Sequence, residues 1–206
     1  MTKNIAKPLH IYTLGNFIIK RDGKPLSFQK KHPKKLLTLL KVLISLGSFN
    51  INQEKLADTL WPDSEGDNGL QVLHTTLYRL RKLLGDHRFV LLQNGKICLN
   101  SDMIWIDLWE FQYFYQLASQ TRFIDGNNDS TKKCKHHALQ ALRRYQGNYL
   151  QNEVEEYWLL NCREKSQMQY NQLLQFYNPT HHLSTPIYNT LFTASYSKQP
   201  TMNINE

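Results

Sequence analysis

Between residues 68 and 84 leucine returns at three- and four-residue intervals. Leu70, Leu73, Leu77, Leu80 and Leu84 lay one apolar stripe along an amphipathic helix. Asp67 suits its N-cap, and Gly85 the left-handed residue beyond its C-terminus. Away from the stripe stand Gln71, His74, Thr75, Tyr78, Arg79, Arg81 and Lys82, side chains able to meet base edges and phosphates, with few acids nearby. Helical periodicity leaves about one position of latitude at the rims of that face, where His74 and Arg81 can turn inward instead. The same pattern also describes an ordinary solvated helix on a packed core.

The flanking patterns separate the two readings. Arg88–Asn100 (RFVLLQNGKICLN) holds two apolar runs joined at Asn94-Gly95, a pair that tolerates positive φ at both central turn positions and predicts a β-hairpin. A basic helix followed by a hairpin is the order of a winged helix-turn-helix, in which the hairpin lies over the nucleic-acid backbone beside the inserted helix. Arg88 and Lys96 are then cations of the wing. Upstream, His32-Pro33-Lys34-Lys35 leads into LLTLLKVLISLG, with Pro33 at the first helical position and Gly47 ending the helix. Next, NINQEKLADTLWP predicts a short helix capped by Asn52 and stopped by Pro62. Leu36, Leu40, Leu56, Leu60, Trp61, Leu73, Leu77 and Leu80 are the expected core of the three helices. Before them, LHIYTLG, NFIIKRDGKP and LSF alternate apolar and polar residues around Asp22-Gly23 and predict short antiparallel strands.

These segments resemble a known family. KKLLTLLKVLISLG, LADTLWPDSEGD and LHTTLYRLRKLLG resemble the response-regulator-type winged-helix domain of bacterial transcription regulators bearing a bacterial transcriptional activator domain (BTAD). In KICLNSDMIWIDLWEF, Trp105, Asp107, Trp109 and Phe111 match the W-x-D-x-W-x-F pattern at the family's interdomain junction. HHALQALRRYQGNYL and EYWLLNCREK resemble its first activator-domain helices, so the likeness covers roughly residues 9–175. It implies an α+β chain: a winged helix-turn-helix with an N-terminal antiparallel β-sheet over 1–101, then an all-α tetratricopeptide-like region over 102–177. The chain departs from the family after Tyr177, where NPTHHLSTP opens a polar tail, 178–206, expected to be poorly ordered. An array cut short there leaves an apolar face for a partner, a second copy or a missing part of a longer protein.

Charge sharpens the division. Residues 1–100 carry sixteen lysines and arginines against seven acids, and residues 101–206 nine against ten, so the net +8 belongs to the first half. A polyanion-binding unit joined to a near-neutral one predicts this. The longest apolar run, Leu36–Leu46, is broken by Thr38, Lys41 and Ser45, so no membrane span is expected, and MTKNIAKPL has no apolar core of an export signal. Three scattered cysteines (Cys98, Cys134, Cys162) fit a reducing cytoplasm.

Enzyme chemistry has no foothold: phosphate-loop, H-E-x-x-H and G-x-S-x-G motifs are absent. Cys134 with His136 and His137 lacks a second ligand pair, and His181 and His182 fall in the tail. Trp105, Trp109, Phe111 and Tyr115 are read as packing residues before a ligand cage.

The expected function is therefore sequence-specific binding of double-stranded DNA by a transcription regulator without metal or cofactor. Helix 68–84 enters the major groove, with Gln71, His74, Thr75 and Tyr78 as base readers and Arg79, Arg81 and Lys82 mostly on phosphates. Lys34, Lys35, Arg88 and Lys96 are secondary phosphate contacts. RNA polymerase or another protein is the expected partner of the helical region, and a homodimer on DNA is compatible, although no heptad supplies one. Two alternatives stand: a protein–protein adaptor on the same scaffold without DNA binding, revealed by an exposed Trp109–Phe111–Tyr115 patch, and a piece of a longer ATPase-type regulator.

Overall fold

The structure, a computed structural model, describes residues 7–28, 33–64, 68–122 and 128–177. His32, the Asp67 cap and the tail 178–206 with His181 and His182 lie outside the described residues.

Strands β1 (Leu9–Tyr12), β2 (Ile18–Arg21) and β3 (Lys24–Pro25) pair antiparallel, with Ile11 opposite Ile19 and Lys20 opposite Pro25. Asp22 and Gly23 close the β2–β3 turn with positive φ, as the sequence predicts. Leu9 and Ile11 are buried while His10 and Tyr12 are half-buried, the alternation of a one-sided sheet. A fourth strand, β7 (Ile104–Ile106), pairs parallel with β1, giving the order β3-β2-β1-β7. The N-terminal sheet is therefore mixed rather than purely antiparallel. It recruits β7 from just before the helical region, a pairing remote in sequence that leaves no local pattern.

Three helices pack together next: α1 (Lys34–Ser45), α2 (Gln53–Leu60) and α3 (Asn68–Leu84). Pro33 occupies the capping position, one residue before the predicted one. Asn52 caps α2, its Oδ1 accepting from the Lys55 amide at 3.0 Å. Leu40, Leu56, Leu73, Leu77 and Leu80 are buried, whereas Leu36, Leu60 and Trp61 are half-buried at the rim of the same core. A hairpin follows α3: β5 (Val90–Gln93) and β6 (Lys96–Leu99), with positive φ at Asn94 and Gly95. The two-residue strand β4 (Ile51–Asn52), immediately before α2, pairs with β6 and completes a β4-β6-β5 sheet.

The remainder is helical: α4 (Asp107–Arg122), α5 (Asn128–Leu142) and α6 (Tyr157–Tyr177). The W-x-D-x-W-x-F residues form the joint between the halves. Asp107, almost wholly buried, accepts from the Thr13 amide at 2.8 Å, the Thr13 hydroxyl at 2.7 Å, and the Leu14 and Leu108 amides at 2.9 and 2.8 Å. Burial pushes its carboxyl above the usual range, and these donors oppose the shift. Trp109 donates to the Ser48 hydroxyl and stacks on Phe49, while Phe111 is buried. The turn after α5 grips the same corner: the Leu150 amide bonds the Thr13 carbonyl at 2.7 Å, and Tyr149 is buried with its hydroxyl 2.9 Å from that of Ser45. Lys41 of α1 pairs with Glu153, and Arg163 of α6 donates to the Tyr149 and Leu150 carbonyls. No helix among the described residues is long and apolar enough to cross a membrane.

Candidate nucleic-acid interface

The stripe Leu73, Leu77, Leu80 and Leu84 is buried, and Thr76 joins it by returning its hydroxyl to the Val72 carbonyl. Leu70 remains half-buried at the helix start. With those positions fixed inward, α3 turns Gln71, His74, Thr75, Tyr78, Arg79 and Lys82 to solvent, Tyr78 at 66% exposure. No acid occurs anywhere along α3. Gln71, Thr75, Tyr78, Arg79 and Lys82 have no side-chain hydrogen bond or ion pair within the described residues, so this face presents unneutralised cations and free polar groups.

His74 and Arg81 differ from the rest of the set. His74 stands four residues after Leu70 and three before Leu77, and Arg81 stands likewise to Leu77 and Leu84, so both lie on one flank of the stripe. Each finds a partner on the neighbouring element. His74 Nε2 lies 3.0 Å from Gln53 Oε1 at the start of α2. Arg81, half-buried, donates from Nε to the Val90 carbonyl at 2.8 Å and fastens α3 to β5.

The basic residues outside α3 are of two kinds. Lys34 and Lys35 are exposed in the first turn of α1, and Lys96 is exposed beside the hairpin turn. Arg88 belongs to a single 3-10 turn, His87–Phe89, ahead of the hairpin, which itself starts at Val90 rather than at residue 88. Its guanidinium grips Asp86, with Nη2 to Oδ2 at 2.7 Å and Nε 3.1 Å from both oxygens. These bonds hold the Asp86 carboxyl down at about 2. Arg88 is thus a neutralised cation where the sequence predicts a free one.

Tyr78, Arg81, Lys82, Gly85, Asp86, His87 and Arg88 line an open groove of about 670 Å3 at the C-terminal end of α3. Gly85 suits the backbone there, and the space beside it is taken by a neighbouring side chain. Its φ is +96°, and Arg21 lies where a Cβ would project, donating from Nη1 to the Leu84 carbonyl at 2.9 Å. Gln53, Arg21 and Asp86 are not among the residues that the sequence singles out, because each acts through a contact from another segment.

The other clusters singled out in the sequence lie in the helical half and at its joint. Cys134 is buried with its thiol toward the Ala118 carbonyl, His136 is exposed, and no three potential metal ligands gather among the described residues. Trp105 packs against His10 and Tyr12 and donates to Glu110, and Tyr115 bonds Gln172.

No protein-family model matches the sequence, and no curated protein matches it either. Among solved structures, the chain is similar to Mycobacterium tuberculosis EmbR in complex with a low-affinity phosphopeptide, at 20% identity and a TM-score of 0.50. The match covers 83% of this chain and 43% of the EmbR chain, so this chain spans less than half of EmbR's length. At that identity the likeness bears on the fold: a mixed α+β unit with helices continuing beyond it.

Proposed function

We propose that this chain is a sequence-specific DNA-binding transcription regulator, not an enzyme, in which residues 1–101 act as a winged helix-turn-helix. The carrying observation is the outward face of α3, acid-free and furnished with Gln71, Thr75, Tyr78, Arg79 and Lys82 that bond to nothing among the described residues. In the major groove, Gln71, His74, Thr75 and Tyr78 face base edges while Arg79 and Lys82 neutralise phosphates. The hairpin β5–β6 is the wing, bringing Lys96 to the flanking backbone, and Lys34 and Lys35 add contacts from α1. Arg81 contributes first by fixing the wing strand to the reading helix.

Residues 102–177 are proposed as an incomplete tetratricopeptide-like region of the BTAD kind, docked on the DNA-binding unit through Asp107 and offering its outer surface to a protein such as RNA polymerase. A cytoplasmic site of action and a dimer on paired half-sites accord with this role. The adaptor alternative calls for an exposed patch of Trp109, Phe111 and Tyr115. Phe111 is buried and the other two are half-buried and bonded, so no observation favours it.

The test is selection of bound duplexes from a genomic fragment pool at near-physiological salt, followed by sequencing. One enriched motif is expected, with retention of all duplexes weakened in an Arg79→Ala/Lys82→Ala variant that still folds. Retention without a motif, indifferent to those substitutions, overturns the proposal.

A further inference from the structure

Gln53 is uncharged and half-buried, and nothing in its local sequence marks it for DNA, yet it touches both DNA-facing elements that flank it. Its backbone amide donates to the Gly95 carbonyl at 3.0 Å, in the hairpin turn. Its side-chain oxygen lies 3.0 Å from His74 Nε2 on α3. The two residues before it are already the third strand of the hairpin sheet, Ile51 opposite Ile97 and Asn52 opposite Lys96. One residue therefore ties the wing turn to a reader on the major-groove helix.

We propose that Gln53 is a positioning residue for base reading: it holds the His74 ring by its Nε2 proton and leaves Nδ1 as the ring atom offered to a base. The proposal rests on the DNA-binding reading and names how one contact of that site is specified. An amide oxygen only accepts, so the bond to Gln53 Oε1 makes His74 Nε2 the donor. A neutral imidazole with its proton on Nε2 carries a lone pair on Nδ1. Within the described residues Nδ1 has no hydrogen-bond partner, and the side chain is exposed. An accepting atom in the major groove matches the exocyclic amines of adenine and cytosine; it refuses the O6 and N7 of guanine and the O4 of thymine, which are acceptors themselves. In its neutral form His74 therefore selects an amine-bearing base, and it does so because Gln53 fixes its tautomer. Since Gln53 is also bonded to Gly95, the ring is placed relative to the wing as well as to α3.

Two measurements on the full chain test this. The first needs no DNA: histidine side-chain 15N shifts, with the His74 signals assigned by their disappearance in His74→Ala. The Nε2–H tautomer is expected for His74 in the wild type, a mixture in Gln53→Ala, and recovery in Gln53→Glu, whose carboxylate accepts the same proton. An Nδ1–H tautomer in the wild type, or a tautomer indifferent to Gln53→Ala, overturns the proposal. The second is base preference on the selected motif. Gln53→Ala and His74→Ala should relax the same position by about tenfold, with the double variant no worse than either single one and the salt dependence unchanged. A Gln53→Ala chain that keeps the preference abolished by His74→Ala overturns it too. A wild type with no base preference anywhere overturns the DNA reading itself, and the nitrogen shifts still decide whether Gln53 holds the ring.

Discussion

Arg79 and Arg163 are the same side chain on two long helices, α3 and α6, and the fold treats them in opposite ways. Arg163 is turned inward, donating to the Tyr149 carbonyl at 3.1 Å and the Leu150 carbonyl at 2.9 Å across the joint between the halves. Arg144 likewise grips Glu110 with Nε and Nη2 at 2.9 and 3.1 Å, and Lys133 pairs with Asp129 along α5. In the helical half these cations serve the fold. On α3, Arg79 and Lys82 stand exposed on an acid-free helix, and nothing among the described residues neutralises them. The contrast separates Arg79 and Lys82 from cations that the fold itself pairs, and on the proposed DNA-binding reading these two are the ones offered to phosphate.

The largest expected effect breaks the joint that keeps the two halves together. Asp107→Ala removes the buried acceptor of the Thr13, Leu14 and Leu108 amides and the Thr13 hydroxyl. Stranding several buried donors is expected to cost about 3 kcal/mol or more in denaturant unfolding. An unchanged midpoint would show that the turn around Tyr149, rather than Asp107, secures the corner.

Next in size is the exchange of roles between the two arginines. Arg163→Ala should lower stability by about 1–3 kcal/mol, because it removes a charged donor from two backbone carbonyls. It should leave the salt dependence of DNA binding alone. Arg79→Ala and Lys82→Ala should do the reverse: stability within about 0.5 kcal/mol of wild type, and a salt slope lowered by about one for each phosphate no longer neutralised. Urea titrations paired with binding isotherms at several salt concentrations check all three variants. If Arg79→Ala destabilised the chain as much as Arg163→Ala, the proposed division of labour would be wrong.

That division is only partly legible in the sequence. The bounds of α3 follow from the leucine spacing, and Asn94-Gly95 and Asn52 announce the hairpin turn and the α2 cap, because each depends on neighbours within a few residues. The strands β4 and β7 are two and three residues long and exist only through partners far along the chain, so no local pattern marks them. The flank containing His74 and Arg81 is visible as a rim of the stripe. Which way it turns depends on Gln53 and on the Val90 carbonyl, contacts made by the tertiary fold. Arg88 shows the same limit over a shorter range. Its spacing from Asp86 is present in the sequence, but only the capped 3-10 turn brings the two side chains face to face.

Asp86 therefore gives the smallest and most discriminating test of the comparison, because it follows the C-terminal end of α3 yet pairs Arg88 much as Glu110 pairs Arg144 in the helical half. Its carboxyl is held at about 2 by the Arg88 hydrogen bonds, below the ordinary range. A depressed carboxyl keeps its charge, and with it the pairing, at every pH above the ordinary carboxylate range, and yields it only as pH falls toward that depressed value. Mild acidification thus leaves Asp86 charged beside Arg88, whereas substitution removes that charge. Asp86→Asn keeps an acceptor for the Arg88 amide while removing the charge. If Arg88 reaches the DNA backbone once released, the salt slope should rise by about one and affinity should increase for all sequences alike. An unchanged slope would place Arg88 off the path of the DNA and leave Lys96 to make the wing's phosphate contact.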